Sequence, residues 1–232
     1  MNLPWIGVQH WKTPAFFHWR VPYDMLRALV PRPFELDTFN NETWVSVVPF
    51  QATKTYPRVG RQFFSLGPLW QLNVRTYIRF NRVPGVYFLK IYTNSHLSRI
   101  GARMLLSLPY EDAHFTTRSD KETASCFMTL PKMSYEAQFY MNVKPASQLY
   151  YPNQDSLAYW LTERYHFYGI KGKRIIEASI DHLPWQLQAA DYSINFHGLD
   201  SVIPRNKEPL VHLAASQKTY LYPFKVKGIY LR

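Results

Sequence analysis

Short runs rich in Val, Ile, Tyr, Phe and Thr recur along the chain, at Trp44–Phe50, Val74–Phe80, Val86–Tyr92, Phe127–Leu130, Glu136–Val143, Arg174–Ile180 and Tyr192–Phe196. β-Branched and aromatic residues suit a half-buried pleated surface, so these runs predict strands. In the Asn73–Phe80 segment, alternation places Asn73, Arg75, Tyr77 and Arg79 on one face and Val74, Thr76, Ile78 and Phe80 on the other. The next run puts Val86, Phe88, Lys90 and Tyr92 opposite Tyr87, Leu89 and Ile91. Both of its faces are largely apolar, which predicts a strand covered on both sides, where a lysine needs a partner or a water-filled cavity.

Three helices are expected between the strands. Pro22 can open one over Tyr23–Val30, and Pro31 closes it. Ser95 can cap a longer one reaching Ser107, with Leu97, Ile100, Met104 and Leu108 at helical spacing before Pro109. Asp155 or Ser156 can cap a third, carrying Leu157, Trp160, Leu161 and Arg164, with Gly169 just beyond it. Many strands with few helices predict an α+β domain whose antiparallel sheet curls into a barrel or cone.

Composition narrows the class. Hydrophobic residues make up 47% of the 232, and aromatics 17%, which excludes wholesale disorder. No Pro-, Gly- and Ser-rich linker divides the chain, so one domain over residues 1–232 is expected. The lone Cys126, in an apolar run, is expected to be an inert buried thiol, and a cytoplasmic location is expected because no signal-peptide pattern opens the chain. No apolar run is long enough for a membrane span.

A formal charge of +11 implies attraction to anions, and its distribution is uneven. Between Glu42 and Glu111 no acidic residue occurs, while nine basic ones do: Lys54, Arg58, Arg61, Arg75, Arg79, Arg82, Lys90, Arg99 and Arg103. Arg99 and Arg103 share a stripe of the second predicted helix at i and i+4. If that stripe faces the sheet, two strands and a helix bring cations to a single anion-binding pocket. If the faces lie outward, the same residues are solvated surface charges.

Other chemistries lack their signatures. No His-Glu-x-x-His, Cys-x-x-Cys, G-x-S-x-G, P-loop or G-x-G-x-x-G pattern occurs, so no metal and no cofactor is expected. Asp181-His182 is better explained as a strand end with a structural histidine than as a catalytic pair. Basic charge with abundant aromatics also fits a single-stranded nucleic-acid binder, but a nucleic-acid partner is disfavoured because the RNA-recognition signature is missing.

The stretch WKTPAFFHWRVPYDMLRALVPRPFELDTFNNETWVSVVPF, with QLNVRTYIRF, PGVYFLKIYTNS, GARMLLSLPYEDAHF, SLAYWLTERYHFYG and DHLPWQLQ, resembles the YqjF-like family of uncharacterised bacterial proteins over nearly the whole chain. That family is in turn similar to acetoacetate decarboxylase, through DMLRALVPRPFELD and through YTNSHLSRIGARMLLSLPYE, where Arg103 and Pro109 match. The resemblance implies an acetoacetate-decarboxylase-like, mainly antiparallel, cone-shaped β-barrel with a few outer helices and a small-molecule cavity.

Departures from the decarboxylase matter for chemistry. It carries two adjacent lysines after this proline, one forming a Schiff base beside its cationic neighbour. Tyr110 and Glu111 stand there instead; Gln71 replaces a pocket glutamate, and Lys12 a substrate-binding arginine. Lys90 is the one substitute amine, though a lysine that is paired or reaches solvent is favoured. The expectation is a cavity that binds a small organic anion, with Arg75, Arg79 and Arg103 as anion contacts and Lys90 and Gln71 as further polar ones. Tyr77 and Tyr110 would hydrogen-bond the ligand, and Tyr110 or Glu111 would serve as acid or base if a reaction follows. An enzyme acting on a small keto acid is the alternative; oligomeric state is open.

Overall fold

The structure, a computed structural model, describes residues 4–12, 14–59, 62–63, 67–95, 108–119, 123–130, 139–198, 202–204 and 207–230. In chain order its elements are β1 (Gly7–Lys12), β2 (Ala15–Val21), α1 (Tyr23–Leu29), β3 (Glu35–Leu36), β4 (Thr43–Val59), β5 (Gln62–Phe63), β6 (Leu69–Phe80), β7 (Val83–Thr93), β8 (Tyr110–Asp112), β9 (His114–Ser119), β10 (Ala124–Thr129) and β11 (Phe139–Pro145). There follow α2 (Leu157–Thr162), β12 (His166–Lys171), β13 (Arg174–Asp181), β14 (Leu187–Gln188), β15 (Ala190–Phe196), β16 (Leu210–Ala214), β17 (Gln217–Leu221) and β18 (Lys225–Ile229). Strands dominate, as the hydrophobic pattern predicts. The helix expected over Ser95–Ser107, with Arg99 and Arg103, lies outside the described residues except at its first position.

The strands form two sheets. The larger runs β14-β16-β2-β4-β1-β17-β13-β12-β7-β6-β3, with β4 also paired to β6; the smaller runs β15-β11-β10-β9. Pairing is antiparallel apart from β7 with β12 and β7 with β8. Two tight turns use left-handed residues: Asn40 and Asn41 before β4, and Asn81 and Arg82 between β6 and β7, all at positive φ. Asparagine tolerates that region and two such residues match the strand twist, so both turns close with little splay.

The two helices end for local reasons. Val30 is extended (φ −98°, ψ 129°) because the following Pro31 disfavours helix at that residue. The Arg27 guanidinium then donates to the carbonyls of Val30, Pro31 and Phe34. At α2 the Ser156 hydroxyl accepts from the Tyr159 amide at 3.2 Å, as the expected cap. The helix stops at Thr162, however, so Arg164 lies beyond it and Gly169 belongs to β12, not to a helix end.

The larger sheet is covered on both faces. From one face Phe17, Trp19, Val45, Val47, Leu72, Val74 and Ile78 join Cys126, Met128, Phe139 and Met141 of the smaller sheet in the principal core. Cys126 is buried there, its thiol pushed up to about 12 by desolvation. On the other face lie Phe16, Val48, Phe50 and Trp185. That second face bears the cavity.

Candidate functional site

A cavity of about 450 Å³ opens on the face of the larger sheet turned away from the principal core. Alternate residues of β6, Gln71, Asn73 and Arg75, all line it. At about 3.3 Å per residue they distribute polar groups along roughly 13 Å of its wall. Trp11, Phe16, Phe50, Phe88, Ile91, Leu108 and Trp185 supply much of the rest.

β7 explains which candidates reach this space. Its register with β6 shifts between Val74 and Arg75, where Val74 pairs with Lys90 and Arg75 with Phe88, leaving Leu89 as an extra residue. Such a bulge exchanges the two faces of a strand. Val86 and Phe88 line the cavity before it and Ile91 after it, while Tyr92 turns into the principal core. Lys90 therefore faces away from the cavity, where it pairs with Glu111, and both side chains keep over a third of their surface exposed. The shared face expected for Val86, Phe88, Lys90 and Tyr92 is corrected accordingly. Glu111 follows Lys90 out because β8 pairs in parallel with β7, Tyr92 opposite Glu111.

Arg79 also departs from expectation. It sits at the solvent end of β6, half exposed, and its Nε donates to Asp37 at 2.7 Å. Tyr77 is fully buried but does not line the cavity. Its hydroxyl belongs to a buried cluster: it meets Ser46 Oγ at 2.5 Å and donates to the Leu161 carbonyl at 3.0 Å, while Ser46 Oγ meets His18 Nδ1 at 2.6 Å. Burial raises the Tyr77 pKa. Arg103 falls outside the described residues. Lys12 ends β1, exposed.

Gln71, Arg75 and Tyr110 are brought together. Gln71 Nε2 donates to the Tyr110 hydroxyl at 3.1 Å. Burial pushes Tyr110 up to about 12, so the phenol stays protonated and offers its own proton onward. Arg75 donates from Nη2 to the Leu161 carbonyl at 3.4 Å, its guanidinium lies 5.6 Å over the Phe16 ring, and Nε has no partner. No carboxylate among the described residues forms an ion pair with it. Desolvation makes its charged form more costly, the condition a bound anion relieves.

Three contributors escaped sequence reasoning. Arg164, expected on a helix, folds back past Thr162: Nε donates to the Trp160 carbonyl and Nη1 to Asp37, both at 2.7 Å, and both ion-pair partners are 3% exposed. Asn73 was placed on the correct face but given no role. His182, discounted as structural, lines the cavity; its Nδ1 donates to the Leu183 carbonyl at 2.7 Å, and burial lowers its pKa, so Nε2 carries the free lone pair. The Asp-His-Leu-Pro-Trp segment was the available signal, since it delivers both His182 and Trp185. Among the described residues no cluster of His, Cys, Asp and Glu could hold a metal ion, and no helix is long and apolar enough to cross a membrane.

A family model described as DUF2071, an uncharacterised conserved protein, matches residues 8–218. Uncharacterized protein YqjF of Bacillus subtilis is 34% identical over 227 residues, 95% of this chain and 92% of its own. Among solved structures, acetoacetate decarboxylase of Legionella pneumophila superposes with a TM-score of 0.69 at 12% identity, over 100% of this chain and 91% of that one. The enduracididine biosynthesis enzyme MppR complexed with pyruvate gives 0.68 at 8% identity, over 97% and 91%. At these identities the structural likeness establishes the fold.

Proposed function

This chain belongs to the DUF2071 family of uncharacterised conserved proteins and has an acetoacetate decarboxylase-like fold; from that premise we propose that its cavity binds a small organic ligand through a carboxylate held by Arg75. The carrying observation is an arginine lining an apolar cavity with no carboxylate partner among the described residues. Gln71 and Tyr110 would supply neutral hydrogen bonds beside it. The strand path from β4 through β1, β17, β13, β12, β7 and β6 back to β4 supports the cone-shaped barrel around this space. A relative of the same fold complexed with pyruvate, a small keto acid, supports the carboxylate.

Binding without Schiff-base chemistry is the reading favoured. No lysine occurs among the described residues lining the cavity, and Tyr110 occupies the wall where the decarboxylase resemblance would place an amine. An enzyme that moves a proton on the bound acid is the second reading, favoured by the neutral His182 imidazole in the wall.

Titration calorimetry with straight-chain carboxylic acids and their primary amides tests the proposal, on the parent and on Arg75→Met. Acids should bind and amides not, and the variant should lose at least tenfold in affinity, given ~1.5–3 kcal/mol for a hydrogen bond to a charged group. The variant should be at least as stable, because an apolar side chain replaces a partly buried cation with no counter-ion. Equal binding of acids by parent and variant would overturn the proposal.

A further inference from the structure

We propose that the ligand is a monocarboxylate with an extended apolar tail, of about eight to twelve carbons, in place of a short keto acid or a dicarboxylate. This rests on the carboxylate proposed for Arg75 and adds what the rest of the molecule must be.

Size is the first constraint. A cavity of about 450 Å³ holds at least fifteen or so water-sized groups at ~30 Å³ each. Pyruvate or acetoacetate would fill well under half of it, leaving aromatic walls in contact with trapped water. The wall chemistry is the second constraint. Beyond the polar line of Gln71, Asn73 and Arg75, most of the wall is apolar, from Phe50, Phe88, Ile91, Leu108 and Trp185, with Phe16 beneath the guanidinium and with Tyr110, His166 and His182 as scattered polar groups. The apolar parts of such a wall gain from each methylene they cover and solvate a second charge poorly.

The third constraint is where the cations are. Among the described residues lining the cavity, Arg164 already has a carboxylate partner in Asp37, which it shares with the half-exposed Arg79, and His166 faces Glu177, which also meets Lys227 at 2.8 Å. Of the two described arginines in the wall Arg75 alone is left without a carboxylate, so one anionic group finds an unpaired counter-ion and a second would have to compete with Asp37 for Arg164. A tail ending in a carboxylate would lie among rings and pay the desolvation cost unrelieved.

Calorimetry with acids from butanoate to tetradecanoate, each below its micellar concentration, reads the tail directly. Affinity should rise about fourfold per added methylene until the space is filled near ten carbons, then level or fall. Suberate should bind at least tenfold more weakly than octanoate. Val48→Phe, which fills part of the wall, should shift the optimum to shorter acids. Affinity independent of length, suberate equal to octanoate, or an unchanged length profile in Val48→Phe would overturn the inference. Loss of Arg75 dependence, by contrast, would overturn the underlying carboxylate site, so the two failures are distinguishable.

Discussion

Acid should loosen this fold through two histidines packed against each other beneath the cavity. His212, on β16, is 5% exposed with its Nδ1 unpartnered, and the fully buried His18 ring stands edge-on to it at 5.5 Å. Burial pulls His212 from 6.5 down to about 4 and holds His18 well below its ordinary value. Both rings are thus neutral in the fold, whereas in the unfolded chain they take up a proton near 6.5. Between pH 6.5 and 4 the unfolded state binds more protons, so stability is present above 6.5 and is lost as pH falls. For His212 alone, the shift from 6.5 to about 4 amounts to roughly 2–3 kcal/mol lost by pH 4.5. That is a sizeable part of a typical total of ~5–15 kcal/mol. Urea unfolding of the parent and His212→Gln, from pH 7.5 to 4.5, isolates the contribution because the carboxylates titrate alike in both. The variant should lose roughly 2–3 kcal/mol less over that interval, whatever its stability at neutral pH. Parallel pH profiles would refute the reasoning, since they would require a His212 that keeps its ordinary protonation in the fold.

Asp37→Asn should cost about 3–5 kcal/mol, because it strands the Arg164 guanidinium without its counter-charge; a Tm drop of roughly 6–20 °C in calorimetry is the expected reading. Gly85→Ala should cost about 1–3 kcal/mol in chemical denaturation, since a Cβ there would come within 2.7 Å of the His166 carbonyl and of the Tyr168 ring, and neutrality would show that β7 and β12 can spread. Lys90→Met should change stability by less than about 1 kcal/mol, as befits a solvent-screened pair. Borohydride treatment of the parent with pyruvate should leave Lys90 unmodified by peptide mass spectrometry, and an adduct there would contradict its placement away from the cavity.

Much of this architecture was legible in the sequence, because strand signals are local. The β6 run carried the two-face alternation that separates Asn73 and Arg75 from Val74 and Ile78, and Ser156 and Pro22 marked helix starts. What escaped depends on neighbours. Nothing in PGVYFLKIYT announces an extra residue at Leu89, since a bulge is defined by the partner strand and not by composition. Alternation assigned Arg79 to the cavity face, but β6 runs past the end of the cavity, where Asp37, far away in sequence, captures it. Arg164 had helical spacing, yet the helix stops at Thr162 because Glu163 leaves the helical region (φ −83°, ψ 72°). His182 was legible as a residue type and invisible as a position, because what holds it in the wall includes ring contacts with Trp11 and Tyr165, both distant in sequence.

The last turn of α2 is tied to three side chains of the sheet region: Arg164 holds the Trp160 carbonyl, and Tyr77 and Arg75 share that of Leu161. The Arg75 contact is the longest of these, and the same guanidinium is the one proposed to hold an anion. If that anion binds as proposed, it should tug on a short helix as well as on the pocket. Its amides, Tyr159 through Glu163, would register in deuterium uptake whether the interior is filled, giving a ligand of unknown identity an external gauge.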